Sequence, residues 1–179
     1  MIMKRFAAFI MILVLALSLL ASCGDYADYP DYENITYKEE GLELTLRNDM
    51  RRTETENYVF YFSNLAGTAA LAASKVTAKQ LEDEDLAADA TAGEFVNCII
   101  EQHELDRDRI YYSHDESRAN YSFRYTVGEE GENGIFYYVV VLGDPGNIWY
   151  VEMMCSESDS GLYVSRFDAW KNSLRVYNE

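Results

Sequence analysis

The run from Ile135 to Leu142 restricts the fold of this chain strongly, because all eight of its residues are apolar or aromatic. Side chains alternate between the two faces of a strand, so a strand of this composition has to be covered on both faces. Residues 143–147, Gly-Asp-Pro-Gly-Asn, end the run in a turn, and a second apolar strand is predicted for Ile148 to Cys155. The pattern therefore predicts a central strand in a sheet with further structure on each side.

Two amphipathic segments can supply those covering layers. Thr91 and Glu94 form a capping box at the start of the first segment. The second segment, about 161–177, has acidic residues before it and basic residues late in it, as the helix dipole favours. Each segment is predicted to be a helix that packs on the sheet through one apolar stripe. The stripes are Ala92, Phe95, Val96, Ile99 and Ile100 in the first helix, and Tyr163, Phe167, Trp170, Leu174 and Tyr177 in the second.

The remaining sequence is predicted to be mainly strands. Ile35 to Lys38 and Leu42 to Arg47 are expected to form a hairpin around Gly41, since glycine suits a tight turn. The polar stretch 48–56, which contains Arg51 and Arg52, is expected to be a loop or a short helix. Alternation of apolar and polar residues predicts further strands at 58–63, 70–77, 109–113 and 118–127, the last near a sheet edge.

This order of elements implies an α+β fold, a three-layer α/β/α sandwich with a mostly antiparallel sheet of about seven strands. The pattern resembles the PsbP-like superfamily, which includes an extrinsic protein of photosystem II, a Ran-binding nuclear import factor and many small bacterial lipoproteins. The resemblance covers about residues 35–177 and rests on 41–46, 91–95, and the strand pair 135–155 followed by 167–170. It implies a non-enzymatic binding or assembly factor, although a fold does not determine a function. A cystatin-like α+β fold is the alternative, but that pattern begins with its long helix.

The first 23 residues have the pattern of an export signal. A basic start is followed by an apolar run from Phe6 to Leu20 and by small residues. Leu20-Ala21-Ser22-Cys23 resembles the lipobox of bacterial lipoproteins, which implies cleavage before Cys23 and a lipid on its thiol. An ordinary signal peptide or a membrane span are the alternatives, but about 16 apolar residues are short for a span. We expect residues 1–22 to be a lipoprotein signal peptide and the protein to be exported and anchored to the outer face of the bacterial membrane.

Residues 23–34 are expected to form a tether between the lipid and the domain. Asp-Tyr recurs three times at a spacing of three residues, and neither helix nor strand periodicity is present. Tyr26, Tyr29 and Tyr32 would share one side of an extended chain and could contact a partner. A solvated tether is the preferred interpretation. Residues 35–179 are then expected to form a single globular domain, a length sufficient for one hydrophobic core.

The charge of the mature chain restricts its partners. Removal of residues 1–22 takes two of the 15 basic residues and none of the 31 acidic ones, which leaves 157 residues with a formal charge of −18. This excess of acid argues against nucleic acid as a partner, because binding to phosphate depends on Lys and Arg. It also argues against electrostatic adhesion to anionic lipid. The expected partners are the membrane, through the lipid on Cys23, and an envelope protein or glycan.

The sequence contains no phosphate-binding glycine loop, zinc-protease motif, CxxC pair or serine-hydrolase elbow. Of its two histidines, His103 continues the apolar stripe of the first helix, where a partly charged imidazole would suit the carbonyl ends. His114 with Asp115 could form an acid–base pair, but a polar turn is preferred because neighbours on an extended chain point to opposite faces. We therefore predict no catalytic residue, no cofactor and no metal ligand.

Two further features have a structural explanation. Cys98 and Cys155 are expected to be buried free thiols, with a helix-to-sheet disulfide as the alternative. The acidic run from Glu82 to Asp85 is expected to be a solvated turn, because it lacks the alternating ligands and the glycine of a calcium loop.

Two functions are compatible with these observations. The first is a lipid-anchored, non-enzymatic binding or assembly module of the bacterial cell envelope, and the second is an envelope hydrolase built from scattered Ser, Asp and Glu residues. A buried carboxylate with a strongly shifted pKa in a deep cleft would favour the hydrolase. A shallow groove with exposed aromatic residues would favour the binding module. Tyr61 and Arg124 are the predicted binding residues, on strand faces left uncovered by the helices, since tyrosine and arginine often anchor interfaces.

Overall fold

The computed structural model describes residues 33–106, 110–115, 120–129 and 132–177. The predicted signal peptide, the lipidation site Cys23 and most of the tether lie outside these ranges. The helices are α1 (Ala78–Asp83), α2 (Ala92–Gln102) and α3 (Ser160–Ser173), with a 3-10 turn at Glu157–Asp159. None of these helices, in the part of the chain described, has the length and apolarity needed to cross a membrane. The strands are β1 (Asn34–Glu39), β2 (Leu42–Arg47), β3 (Met50–Arg52), β4 (Phe60–Asn64), β5 (Ala69–Val76), β6 (Tyr111–Asp115), β7 (Asn120–Glu129), β8 (Glu132–Leu142), β9 (Ile148–Ser156) and β10 (Arg175–Val176).

Seven of the strands form one antiparallel sheet in the order β3-β4-β5-β9-β8-β7-β6. The predicted hairpin is present, but it belongs to a separate three-stranded sheet in the order β1-β2-β10. The prediction of an α+β fold around a mostly antiparallel sheet of about seven strands is therefore confirmed.

The large sheet has a buried cluster on each face. On one face α3 and β2 pack against it through side chains such as Phe167, Trp170 and Leu44. On the other face α2 covers it through Phe95, Val96 and the rest of the predicted stripe. We refer to these as the α3 face and the α2 face. Strand β8 confirms the prediction of double coverage, because Tyr138, Val140 and Leu142 lie in the first cluster and Tyr137, Val139 and Val141 in the second.

The start of α2 follows the capping-box prediction. The Thr91 hydroxyl accepts a hydrogen bond from the backbone N–H of Glu94 at 3.2 Å, and the Glu94 carboxylate accepts one from the backbone N–H of Thr91 at 2.8 Å. A second capping box, between Thr77 and Gln80, begins α1. Helix α1 was not predicted from the sequence. Glu82 and Asp83 of the acidic run lie in it, and only the second half of the run is a turn.

Two predicted boundaries were wrong. The stretch 48–56, expected to be a loop or short helix, contains the short strand β3, which pairs with the end of β4. The closing helix ends at Ser173, four residues earlier than expected, and Leu174 is already extended. The Ser173 hydroxyl donates to the Trp170 carbonyl at 2.7 Å and accepts from the Thr45 N–H at 2.9 Å. These bonds join the helix end to β2, and the residues that follow pair with β2 as β10 instead of continuing the helix.

Both described cysteines are free thiols, as expected, but only Cys155 is buried as predicted. Cys155 lies in the cluster of the α3 face, where burial raises the pKa of its thiol to about 12. Cys98 is half-buried on α2, on the opposite side of the sheet. The sheet between them excludes the alternative disulfide. Among the described residues, no group of three or more His, Cys, Asp or Glu side chains is placed to hold a metal ion.

Candidate functional site

Arg124 lies on β7, on the α3 face of the sheet, and its guanidinium is held between two aromatic rings. Its central carbon is 4.5 Å from the centre of the Tyr111 ring and 4.4 Å from that of Tyr138. One guanidinium nitrogen donates to a carboxylate oxygen of Asp168 on α3 at 2.7 Å, and the Tyr138 hydroxyl donates to the same oxygen at 2.7 Å. Burial alone would lower the pKa of Arg124, but its contacts with Tyr138 and Asp168 raise it, so the guanidinium stays charged.

Part of this arrangement is open to solvent. The side chain of Tyr111 is 59% exposed and that of Asp168 is 43% exposed, whereas Arg124 is only 18% exposed. We call Tyr111, Arg124 and Asp168 the Arg124 surface. An arginine already fixed by stacking loses little conformational freedom when a partner binds, which favours a role in recognition.

Strand β6, which carries Tyr111, forms the end of the large sheet and pairs with β7. Tyr112, on its other face, is 40% exposed. His114 and Asp115, predicted to form a turn, instead belong to this strand, and their side chains point to opposite faces. The imidazole of His114 stacks on the ring of Tyr121 at 4.0 Å. This geometry provides an aromatic sheet edge and no acid–base pair.

Tyr61, the second predicted binding residue, lies away from Arg124. It is on β4, on the α2 face of the sheet, where its half-buried ring stacks with that of Tyr58 at 6.0 Å. Arg124 lies on β7, on the α3 face, and β7 is four strands away from β4 in the order of the sheet. The structure therefore does not bring the two predicted residues together on one surface.

A buried carboxyl group lies on the α2 face near Tyr61. Glu152, in the middle of β9, is 4% exposed and accepts a hydrogen bond from the Tyr150 hydroxyl at 3.1 Å. Burial raises its pKa to about 7. Burial is the main cause that raises the pKa of the surrounding phenols, and the nearby carboxylate of Glu152 raises it further. The pKa of Tyr58 reaches about 12. The other tyrosines affected in this way are Tyr125, Tyr137 and Tyr150.

The hydroxyl of Tyr125 is buried without a hydrogen-bond partner among the described residues. His103, at the end of α2, lies beside it with the ring centres 5.8 Å apart. Burial lowers the pKa of His103, which favours the neutral imidazole. This direction runs against the expectation of a partly charged imidazole at the carbonyl ends of the helix.

Sequence reasoning missed Glu152, although a signal for it was present. Glu152 is the only charged residue in β9, and the prediction that this strand is apolar required it to be buried. A buried carboxyl with a raised pKa is one of the two features expected of a hydrolase. Four tyrosines lie close enough to Glu152 for its charge to affect their phenols.

No family model matches the chain, and no curated protein matches it in sequence. Among solved structures, the cyanobacterial PsbP of Synechocystis is similar, with a TM-score of 0.53 and 18% identity over 89% of this chain and 99% of that protein. A Bacteroides thetaiotaomicron protein has a TM-score of 0.48 and 14% identity over 78% of this chain and 46% of that protein. LpqN of Mycobacterium tuberculosis, involved in cell envelope biogenesis, has a TM-score of 0.44 and 12% identity over 83% and 91%. The likeness to cyanobacterial PsbP shows that the fold is PsbP-like, and at this identity it carries no information on function.

Proposed function

We propose that this protein is a lipid-anchored, non-enzymatic binding or assembly module of the bacterial cell envelope. The observation that carries the proposal is the Arg124 surface, where a stacked arginine and an exposed tyrosine lie together at the end of the sheet. Such residues are the usual anchors of binding energy. The lipobox-like run ending at Cys23 supports export and anchoring, because a lipid supplies the membrane affinity that a chain of −18 lacks.

The partner we propose is an envelope protein or glycan of neutral or basic character. The mature chain repels acidic partners through its net charge, and the exposed carboxylate of Asp168 adds a local acceptor beside Tyr111. The function requires no cofactor.

The anchor is tested by Cys23→Ser in the native host. We expect the variant to lose both the lipid and cleavage at this site, as seen by mass spectrometry of the membrane fraction. Normal acylation and processing of the variant would refute the lipidation.

The surface is tested with a photo-crosslinking amino acid placed at Tyr111 in the native membrane. Leu65 is the matched control, because it is also 59% exposed and follows β4, five strand positions away and roughly 24 Å distant. We expect a discrete crosslinked product from position 111 that is absent from position 65 and weakened by Arg124→Ala. Equal products from both positions would contradict a specific surface.

Glu152 is the observation that favours the alternative function, an envelope hydrolase. A carboxyl with a pKa of about 7 has the proton affinity of a general acid. Its side chain is 4% exposed and its hydrogen-bond partner is a tyrosine, an arrangement that keeps substrate away. Glu152→Gln should leave the crosslinking at position 111 intact. A phenotype of Glu152→Gln with normal crosslinking and no loss of stability would favour the hydrolase.

A further inference from the structure

The two edges of the large sheet differ in how well they are protected against pairing with another strand. At one end, β3 has three residues, two of which are Arg51 and Arg52, and the Arg52 guanidinium contacts the Glu39 carboxylate. Short length and positive charge are common ways to block an exposed edge. At the other end, β6 has five residues and contains neither lysine, arginine nor proline. Among its described residues this edge is longer than β3 and carries a single acidic charge, Asp115, so it is less protected against β-strand addition.

Strand β6 has a neighbouring strand on one side only, within the part of the chain that the structure describes. Within the described residues β6 is paired with β7, and the sheet ends there. In an antiparallel sheet, successive residues direct their N–H and C=O groups to opposite edges. About half of the polar backbone groups of β6 therefore point away from the sheet, over a length of roughly 17 Å.

The side chains that flank this edge would contact an added strand on both faces. Tyr111 and Arg124 lie on the α3 face, with the exposed Asp168 carboxylate behind them. Tyr112 lies on the α2 face, beside the ring of Tyr121 at 6.5 Å. On the α3 side the Tyr111 ring and the Asp168 carboxylate already contact the Arg124 guanidinium, and only their exposed parts can meet a partner's cation. The α2 side offers aromatic surface to an apolar side chain.

We propose that β6 accepts an extended peptide segment of a partner protein as an additional strand, with basic side chains on the Tyr111 face and apolar side chains on the Tyr112 face. This inference rests on the proposed binding function and specifies its site and partner class. Main-chain hydrogen bonds supply affinity in strand addition, and alternate side chains supply specificity. The net charge of −18 on the mature chain favours a basic segment and opposes the pairing of β6 with a second copy of itself.

The probe is a fluorescent nine-residue peptide of alternating valine and lysine, titrated by anisotropy against the full chain purified in detergent. Two control peptides carry glutamate in place of lysine, or N-methyl groups on every backbone nitrogen, so that neither edge of the peptide can pair. We expect saturable binding of the lysine peptide and at least about tenfold weaker binding of both controls. Equal binding of the N-methylated peptide would overturn strand addition, because its edge cannot pair.

Two neighbouring proline substitutions serve as a matched pair. Tyr112→Pro and Ser113→Pro each remove one backbone N–H group. Because successive N–H groups point to opposite edges, one of these variants loses an N–H that points away from the sheet, and we call it the outward variant. The other variant loses an N–H that points towards β7. We expect the outward variant to keep its melting temperature and lose at least about tenfold in peptide affinity. Unchanged affinity in that variant would overturn the proposal.

The remaining results separate this inference from the proposed function. If the peptide fails to bind while position 111 still crosslinks to a partner in the membrane, strand addition is wrong and the binding function stands. If sedimentation shows a dimer that the outward proline variant abolishes, β6 pairs with a second copy and the peptide partner is wrong. If peptide binding is normal but no crosslink forms in the membrane, strand addition stands and the proposed envelope partner is wrong.

Discussion

On the α3 face of the large sheet the described carboxylates that approach the core are paired with arginines, whereas on the α2 face Glu152 lies among tyrosines. Asp49 contacts Arg166 at 3.0 Å and Asp168 contacts Arg124 at 2.7 Å. Glu152 instead accepts a hydrogen bond from the Tyr150 hydroxyl and has a pKa raised to about 7. A neighbouring cation allows a carboxylate to keep its charge near a core, and without a cation the carboxyl keeps its proton.

The largest expected effect is that of Glu152→Gln above pH 7. In the folded chain the pKa of Glu152 rises from 4.5 to about 7. Its contribution to stability is therefore complete below pH 4.5 and is lost as the pH rises to 7, by about 3 kcal/mol. Glutamine avoids this loss and can still accept the Tyr150 hydrogen bond. In urea unfolding, the variant and the wild type should be equally stable at pH 4.5, and the variant more stable by about 3 kcal/mol at pH 8. If the variant and the wild type were equally stable at pH 8, the ionised carboxylate of Glu152 would have to be stabilised by a neighbouring group.

Arg166→Met tests the opposite situation, in which a carboxylate loses its cation. The Asp49 side chain is 11% exposed, so water replaces the arginine poorly. We expect a loss of about 2 kcal/mol in the free energy of unfolding at pH 7, somewhat less than for a fully buried pair. Asp49→Asn in the same chain should recover most of the loss. A double variant as unstable as Arg166→Met alone would attribute the effect to packing instead of charge.

The helices that cover the two faces differ at their first residues. Thr91 caps α2 with its hydroxyl, while Asp159 makes no side-chain hydrogen bond at the start of α3. Thr91→Ala should therefore lower the free energy of unfolding by about 1 kcal/mol. Thr91→Ser, which keeps the hydroxyl, should restore it, and Asp159→Ala should change it little. Thermal denaturation of the three variants checks this difference. A similar loss of stability in Thr91→Ala and Asp159→Ala would contradict the claim that the two helix starts differ in capping.

The smallest effect is expected for Arg124→Met, although this residue also pairs with a carboxylate on the α3 face. Asp168 is exposed enough to be hydrated once the arginine is removed. We expect a loss below about 1 kcal/mol, as for surface ion pairs. The crosslink at Tyr111 should weaken even so, because the stacked guanidinium is lost. A large loss of stability would show that Arg124, like Arg166, mainly stabilises the fold.

Periodicity over long elements predicted most of the fold. The double-sided strand β8 and the stripe of α2 were predicted correctly because eight or more residues had to satisfy one pattern. The elements that were missed are β3, β10 and α1. With three and two residues, β3 and β10 are too short to show alternation, and the six residues of α1 span fewer than two helical turns. The predicted helix continued to Tyr177 because Leu174 keeps the helical spacing, and only the pairing of Arg175 with Glu43 on β2 shows why it ends.

The candidate site was less predictable, because it depends on the registers between strands. Arg124 was identified by its chemistry, but its neighbours Tyr111 and Asp168 come from β6 and α3, and no local pattern links them. Parity along a strand shows which residues share a face and leaves open which face it is. For that reason Tyr61 was grouped with Arg124 although the two lie on opposite sides of the sheet.

Strands β5, β8 and β9 contribute side chains to both buried clusters, so the two layers of core share these backbones, and β8 and β9 lie at the middle of the sheet. Opening α2 alone exposes one cluster, whereas separating β8 from β9 disrupts both. We therefore expect the amide protons of β8 and β9 to exchange with solvent only when the whole sheet opens, and those of α2 to exchange through smaller local openings. Binding on either face is then expected to slow exchange in these two strands.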